Sequence, residues 1–195
     1  MFVVLFSLTI VNAQKFNVEE GKLKNLKGIS EYNLVFDYTD VKIPKFKNEE
    51  AFLKEKMAKR EKKQKGSGEV FRKSWFEDRE NRYEPKFIAS FNKRFKKGNI
   101  KVDKNLNSAK YVMKIHTTKI YPGYNVGMWR HDAEINTTVT IFEKNNPNNT
   151  LVSGTFKDVR GRGAMGNDYN SGYRISESYA KLAKIMAKYI KKQNR

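Results

Sequence analysis

The sequence predicts an α+β fold, a two-layer sandwich in which helices pack on one face of a mainly antiparallel sheet. Three observations support this class. Several segments alternate between apolar and polar residues, as strands with one buried face do. Other segments repeat apolar residues every three or four positions, as amphipathic helices do. The two kinds of segment are largely separated along the chain, which favours α+β over a parallel α/β fold.

The predicted strands begin with 31–43, which places Tyr32, Leu34 and Phe36 on one face and ends at Pro44. A short extended piece is expected at 100–102. Three strands then form an antiparallel meander: 109–120, 132–142 and 150–159. The segment 145–149, which contains four Asn residues and a Pro, is expected to join the last two strands as a hairpin with a longer loop.

The first two predicted helices lie between the first strand and the meander. Asn48 is a suitable N-cap, and Glu49 and Glu50 favour the first turn of a helix that extends to about Lys63. The segment 65–68 contains two glycines and breaks this helix. Residues 70–83 are expected to be at least partly helical.

Two stronger amphipathic helices follow. The first has Pro85 in its first turn and Gly98 beyond its end, and its apolar stripe comprises Phe87, Ile88, Phe91 and Phe95. The second covers about 175–192, and its apolar residues are spaced 4, 3, 4 and 3 positions apart: Ile175, Tyr179, Leu182, Met186 and Tyr189.

The chain carries a formal net charge of +19 and has no cysteine. Without cysteine, the chain has no disulfide, no Cys-based zinc site, no Cys nucleophile and no cysteine for lipid attachment. The positive charge attracts nucleic acid, lipid headgroups or acidic polysaccharide. Lysine far outnumbers arginine, however, and only the guanidinium of arginine binds a phosphate through two parallel hydrogen bonds. A solvated basic surface without a specific anionic partner is therefore the simpler interpretation.

The N-terminus predicts export. Residues 2–11 form an apolar run too short to anchor in a bilayer. Val11 and Ala13 occupy positions −3 and −1 of a signal cleavage site after Ala13. No Lys or Arg precedes the run, and a buried first strand is the alternative. We expect a signal segment at 1–13, an N-terminal extension at 14–30 and a single domain at 31–192.

Several motifs are better explained by structure than by chemistry. The segment 161–166 matches G-x-G-x-x-G, but the expected helix begins only near Ile175 and no further strand follows, so a dinucleotide site is not expected. Asp168 begins a calcium-like loop in which Tyr179 stands where a bidentate Glu is required. The two histidines, His116 and His131, lack metal-ligand spacing. We expect no catalytic residue, metal or cofactor.

The most unusual segment is 121–131, which concentrates aromatic and polar side chains between two strands. Aromatic rings stack on sugars, bases or partner side chains, and arginine adds a planar donor fork. Its candidate ligand-binding residues are Tyr121, Tyr124, Asn125, Trp129, Arg130 and His131. The alternative is a self-packed loop that covers the sheet edge.

The glycine-rich segment suggests a second candidate site. Arg160, Arg162 and Arg174, with nearby backbone amides, are candidates for holding an anion.

Four segments resemble a family of uncharacterised exported proteins of Bacteroidetes: 75–79 (WFEDR), 83–87 (YEPKF), 121–127 (YPGYNVG) and 174–182 (RISESYAKL). The resemblance spans roughly 28–192. It implies a bacterial envelope or secreted setting, and it implies no particular activity.

The leading functional hypothesis is a non-enzymatic binding module, exported to the periplasm or secreted, whose partner is an anionic envelope component or another envelope protein. Its working surfaces would be the basic face 54–65 and the loop 121–131. Two alternatives stay open. One is a basic nucleic-acid-binding protein, and the other is a hydrolase of envelope polymers that uses His116 or His131 with nearby carboxylates.

Overall fold

The computed structural model describes residues 14–95, 98–126, 128–162 and 170–195. These residues form a mixed sheet with helices packed on one side, which confirms the predicted α+β class. The predicted signal segment 1–13 lies outside the described residues.

In the described part of the chain, the main sheet has six strands in the order β1-β8-β7-β4-β2-β3. Three of its five pairings are antiparallel (β1–β8, β8–β7 and β7–β4), and β2 pairs in parallel with both β4 and β3. The strands are β1 (Asn17–Gly21), β2 (Glu31–Asp37), β3 (Lys101–Asp103), β4 (Tyr111–Tyr121), β7 (Glu134–Glu143) and β8 (Asn146–Arg160). A separate two-stranded hairpin is formed by β5 (Tyr124–Val126) and β6 (Trp129–His131).

Within the described residues, the helical layer comprises four α-helices, a short 3-10 turn (Leu23–Leu26) and a π-helical turn (Arg79–Tyr83). The α-helices are α1 (Glu49–Glu61), α2 (Ser67–Asp78), α3 (Glu84–Asn92) and α4 (Ser171–Gln193). The π-helical turn joins α2 directly to α3, so residues 67–92 form one continuous helical segment.

The core lies between the sheet and the helices α3 and α4. The alternation in β7 places Ile135, Val139 and Ile141 in this core, and the predicted stripe of α4 supplies Ile175, Leu182 and Met186; each of these side chains is at most 1% exposed. Phe87 and Phe91 of α3 are fully buried beside them. Burial of about 1.5–3 kcal/mol per large apolar side chain makes this layer the main source of stability.

Residues 14–30 differ from the predicted extension. β1 pairs with β8 at the edge of the sheet, and Phe16 stacks on Phe156 with ring centroids 4.7 Å apart. Leu26 is fully buried. This segment therefore belongs to the domain. The sequence of β1 does not predict a strand, because an edge strand exposes most of its side chains and most of these are charged or polar.

Several predicted boundaries are wrong: α3 ends at Asn92 rather than just before Gly98, α4 begins at Ser171 rather than near Ile175, and two strand boundaries also differ. β2 ends at Asp37 rather than Ile43, because the Asp37 carboxylate accepts the Thr39 N–H at 2.9 Å and turns the chain. The β7–β8 connection is a tight turn at 144–145, with Glu143 paired to Asn146. Residues 147–149 lie in an irregular part of β8, where the register shifts, and not in a long loop.

No helix in the described ranges is both long and apolar enough to cross a membrane.

Candidate functional site

The loop 121–131 projects from the main sheet as the β5–β6 hairpin, and its base is fixed from two sides. Gly123 has φ +64, and a Cβ at this position would overlap the backbone of 131–133. Arg174 of α4 donates from Nε to the Pro122 carbonyl at 3.0 Å and from Nη2 to the Gly123 carbonyl at 3.2 Å. An isolated two-stranded hairpin is marginally stable, so these contacts are what holds it in place.

His131 completes the base. Its ring meets Tyr121 edge-on with centroids 5.0 Å apart and lies 5.9 Å from the Tyr124 ring. Its Nδ1 is 3.0 Å from the Asp132 carbonyl. Because a carbonyl only accepts, Nδ1 carries the proton. Partial burial raises the pKa of Tyr121, so this hydroxyl stays protonated at neutral pH. The predicted residues Tyr121 and His131 therefore pack on each other.

The hairpin tip, which we define as Tyr124, Val126, Met128 and Trp129, is exposed to solvent. Val126 is 68%, Met128 97% and Trp129 74% exposed. Eight large apolar side chains are exposed in the described part of the chain, and four of them belong to this tip. The alternative prediction, a self-packed loop that covers the sheet edge, therefore describes the base of the loop. It does not describe the tip, whose side chains are exposed.

The hairpin and the end of β8 meet at a shallow cavity of about 360 Å³. Its walls are Arg130, His131, Asp132, Arg160 and Arg162. Arg130 pairs with Asp132 at 3.2 Å, and Arg162 lies 3.9 Å from the same carboxylate. Four of the nine predicted site residues therefore line this cavity: Arg130, His131, Arg160 and Arg162.

The carboxylates beside this cavity limit its attraction for anions. Arg160 binds the Glu134 carboxylate through Nε at 2.9 Å and also through Nη2. Three arginines thus face two carboxylates, Asp132 and Glu134. Arg162, whose side chain is 84% exposed, is the most accessible cation. The cavity has a modest positive excess and is not a closed anion pocket.

Arg174 has a different place from the predicted one. It is 7% exposed, and its guanidinium binds the carbonyls at the hairpin base. Arg174 therefore positions the loop and does not line the cavity of Arg160 and Arg162.

The glycine motif is explained at its start by packing. A Cβ at Gly161 would overlap the α4 backbone at Glu177 and Ser178, and the Gly161 N–H donates to Ser178 Oγ at 3.2 Å. The first glycine therefore allows the end of β8 to approach α4. Residues 163–169, which hold the rest of the motif and Asp168, lie outside the described residues.

Both histidines contact neighbouring groups of the fold. His116 Nε2 contacts the Thr39 carbonyl at 3.0 Å, and His131 packs between tyrosines. Within the described ranges, no group of three His, Asp or Glu side chains could hold a metal ion.

Sequence reasoning missed a larger cleft of about 760 Å³ between β2 and the helical layer. Phe36 and Tyr38 line one wall, and Phe76 and Glu80 line the other. Its buried carboxylate, Glu84, binds Lys104 Nζ at 2.5 Å. No sequence signal marks this cleft, because its walls come from segments far apart in the chain.

The basic face predicted at 54–65 is neutralised only in part, since it holds seven Lys or Arg residues and two Glu. Glu55 binds Lys59 at 2.6 Å and lies 3.4 Å from Lys56. The Glu61 carboxylate accepts the Gly66 N–H at 2.7 Å. The other two glutamates of α1, Glu49 and Glu50, lie before this stretch and bind Arg79 and Arg72. This stretch therefore keeps a positive excess of five charges and is compensated only around Glu55.

Searches of protein-family models, curated proteins and solved structures find no match to this chain.

Proposed function

We propose that this chain is an exported, non-enzymatic binding module that attaches to an anionic lipid surface of the cell envelope through the hairpin tip. The observation that carries the proposal is the joint exposure of Val126, Met128 and Trp129 at the end of one anchored hairpin.

The chemistry of the tip suits the boundary between lipid headgroups and acyl chains. Exposed apolar patches mark interaction sites, and Trp is enriched at membrane interfaces because its ring is apolar and its N–H is polar. Transfer of one Val side chain out of water contributes about 1.5 kcal/mol. Three such side chains at one tip would therefore give a useful, reversible attachment.

The charges beside the tip suit an anionic surface. Arg130 follows Trp129 directly, and Arg162 lies across the small cavity with its side chain 84% exposed. Guanidinium groups next to an inserted apolar tip would lie at the depth of lipid phosphates. The net charge of +19 would draw the molecule toward such a surface from a distance.

A pair of matched valines tests the proposal. Val126 is 68% exposed at the hairpin tip, and Val70 is 66% exposed on α2. Val126→Ser should weaken co-sedimentation with phosphatidylglycerol vesicles by about tenfold. Val70→Ser, with the same chemical change at the same exposure, should leave it unaltered. Equal effects of the two substitutions would contradict the proposal.

A second arm separates lipid from nucleic acid. Vesicles of phosphatidylglycerol, vesicles of phosphatidylcholine alone and a duplex DNA are compared at physiological salt. The proposal predicts binding to the first, with the tip variant impaired. Preference for DNA, with the tip variant unimpaired, would instead support a nucleic-acid-binding protein.

A further inference from the structure

The outer face of α4 carries a row of lysines. They are spaced 3, 4 and 3 positions apart, with one more at the end, and all five are exposed: Lys181, Lys184, Lys188, Lys191 and Lys192. Residues at this spacing lie on one side of a helix. The row covers about 16 Å of helix at 1.5 Å per residue. We call these five residues the lysine face.

Nothing acidic on α4 balances the lysine face. The only carboxylate of this helix, Glu177, binds Lys86 of α3 at 2.6 Å. Among the ion pairs of the described residues, none includes a member of the lysine face. On α1, by contrast, Glu55 binds Lys59 at 2.6 Å and lies 3.4 Å from Lys56.

The lysine face opposes the stability of its own helix. Like charges four residues apart repel each other, as in Lys184 with Lys188 and Lys188 with Lys192. Only Lys191 and Lys192, in the last turn, gain from the helix dipole. A locally unfavourable pattern with no compensating contact is typical of a functional surface.

The positive surface continues beyond the end of α4. Asn194 accepts the Gly28 N–H at 2.7 Å, which ties the 3-10 turn to the helix end. Asn194 Nδ2 also donates to the Leu26 carbonyl at 3.4 Å, so the segment held at this helix end carries two further exposed lysines, Lys24 and Lys27.

We propose that the lysine face is an electrostatic docking surface for anionic lipid headgroups, separate from the hairpin tip. The identity of the lipid surface rests on the proposed function, and the charge argument stands without it. Residues 181–192 contain no arginine to grip phosphates bidentately. Their one aromatic ring, Tyr189, packs inward against Phe16 and Phe156 and is not available to stack on bases. Ammonium groups alone suit a diffuse anionic surface.

The test removes three positive charges from the lysine face in one variant and three from the region of α1 in a control variant. The α4 variant is Lys181→Gln/Lys184→Gln/Lys188→Gln. The control variant is Lys54→Gln/Lys62→Gln/Lys63→Gln, which lowers the net charge by the same amount at exposed positions on and beyond α1. Affinity for vesicles of phosphatidylcholine with phosphatidylglycerol is measured at low and at physiological salt.

Each lysine near an anionic bilayer contributes about fivefold in affinity, so the α4 variant should bind about a hundredfold more weakly at low salt. The control should lose far less, and added salt should remove most of the difference. The α4 variant should also unfold at a slightly higher temperature, because like-charge repulsion is relieved. This melting shift shows that the variant is folded.

Equal losses in the two variants would overturn the inference, as would tighter binding to duplex DNA than to vesicles. Failure of the hairpin proposal is distinguishable. In that case Trp129 fluorescence would not respond to vesicles, while the α4 variant would still lose its salt-dependent binding.

Discussion

Gly161 shows how one residue sets the distance between the sheet and α4. Its backbone lies so close to Glu177 and Ser178 that a Cβ would overlap them. Gly161→Ala should therefore lower the free energy of unfolding by roughly 1–3 kcal/mol, since the end of β8 must move away from α4.

Urea denaturation checks this expectation. Ser74→Ala, which changes a single exposed side chain on α2, serves as the control and should be nearly neutral. The same midpoint for both variants would contradict the packing explanation of this glycine.

Asp37 makes the stability of the protein depend on pH. Its hydrogen bonds with Lys114, at 2.7 Å, and with Thr39 hold the pKa of this carboxyl well below its usual range. Because the pKa of this carboxyl is lower in the folded state, its ionised form stabilises the protein at pH values above the pKa of the unfolded state, which is about 4. This contribution is lost as the pH falls further, toward the pKa of the folded state. Asp37→Asn should thus be less stable than the parent at neutral pH, and the gap should close in acid.

The free energy of unfolding of both proteins, measured from neutral pH down to about 2, tests this linkage. If the difference in free energy of unfolding between the parent and Asp37→Asn does not change with pH, ionisation of the Asp37 carboxyl does not stabilise the folded protein.

Residue identity alone reveals some of these roles and hides others. The N-cap role of Asn48 is local, so the sequence predicts it, and the structure confirms it. Arg174 binds carbonyls 51 and 52 positions earlier in the chain. Only the fold brings these groups together, so the contact cannot be predicted from the neighbouring sequence. A basic residue beside a glycine-rich segment suggests an anion site, but in the structure Arg174 binds backbone carbonyls instead.

At the scale of elements, the start of α1 makes a direct prediction. Asn48 Oδ1 accepts the Ala51 N–H at 2.9 Å. Asn48→Ala should cost about 1 kcal/mol of stability because one helical N–H loses its partner. Asn48→Asp, which keeps an acceptor at the cap, should retain the parent's thermal midpoint; a loss as large as that of Ala would argue against the cap.

Amphipathic spacing predicts the existence of α3 and α4, because each buries one apolar stripe, but it misses the end of α3 at Asn92 and the start of α4 at Ser171. It fails at β1, whose residues are all exposed, and at the end of β2, where a side-chain hydrogen bond turns the chain. The candidate site divides in the same way. The aromatic content of 121–131 is visible in the sequence, while the separation between a packed base and an exposed tip depends on contacts with 131–133 and α4.

At the scale of the whole molecule, the domain includes the N-terminal segment. Phe16 is 7% exposed and closes the core beside Phe156 and Tyr189. Phe16→Ala should cost about 3 kcal/mol. Val18→Ala, two residues further along the chain in β1 and 38% exposed, should cost much less. If residues 14–30 were a detached extension, neither substitution would change the thermal midpoint.

The central claim is that the hairpin tip enters an anionic lipid surface, and tryptophan fluorescence measures it directly. The chain has two tryptophans. Trp75 is 3% exposed and Trp129 is 74% exposed, so changes in emission report mainly on the tip. Phosphatidylglycerol vesicles should shift the emission to shorter wavelength and protect it from an aqueous quencher. Unchanged emission and quenching, while the protein sediments with the vesicles, would contradict the claim.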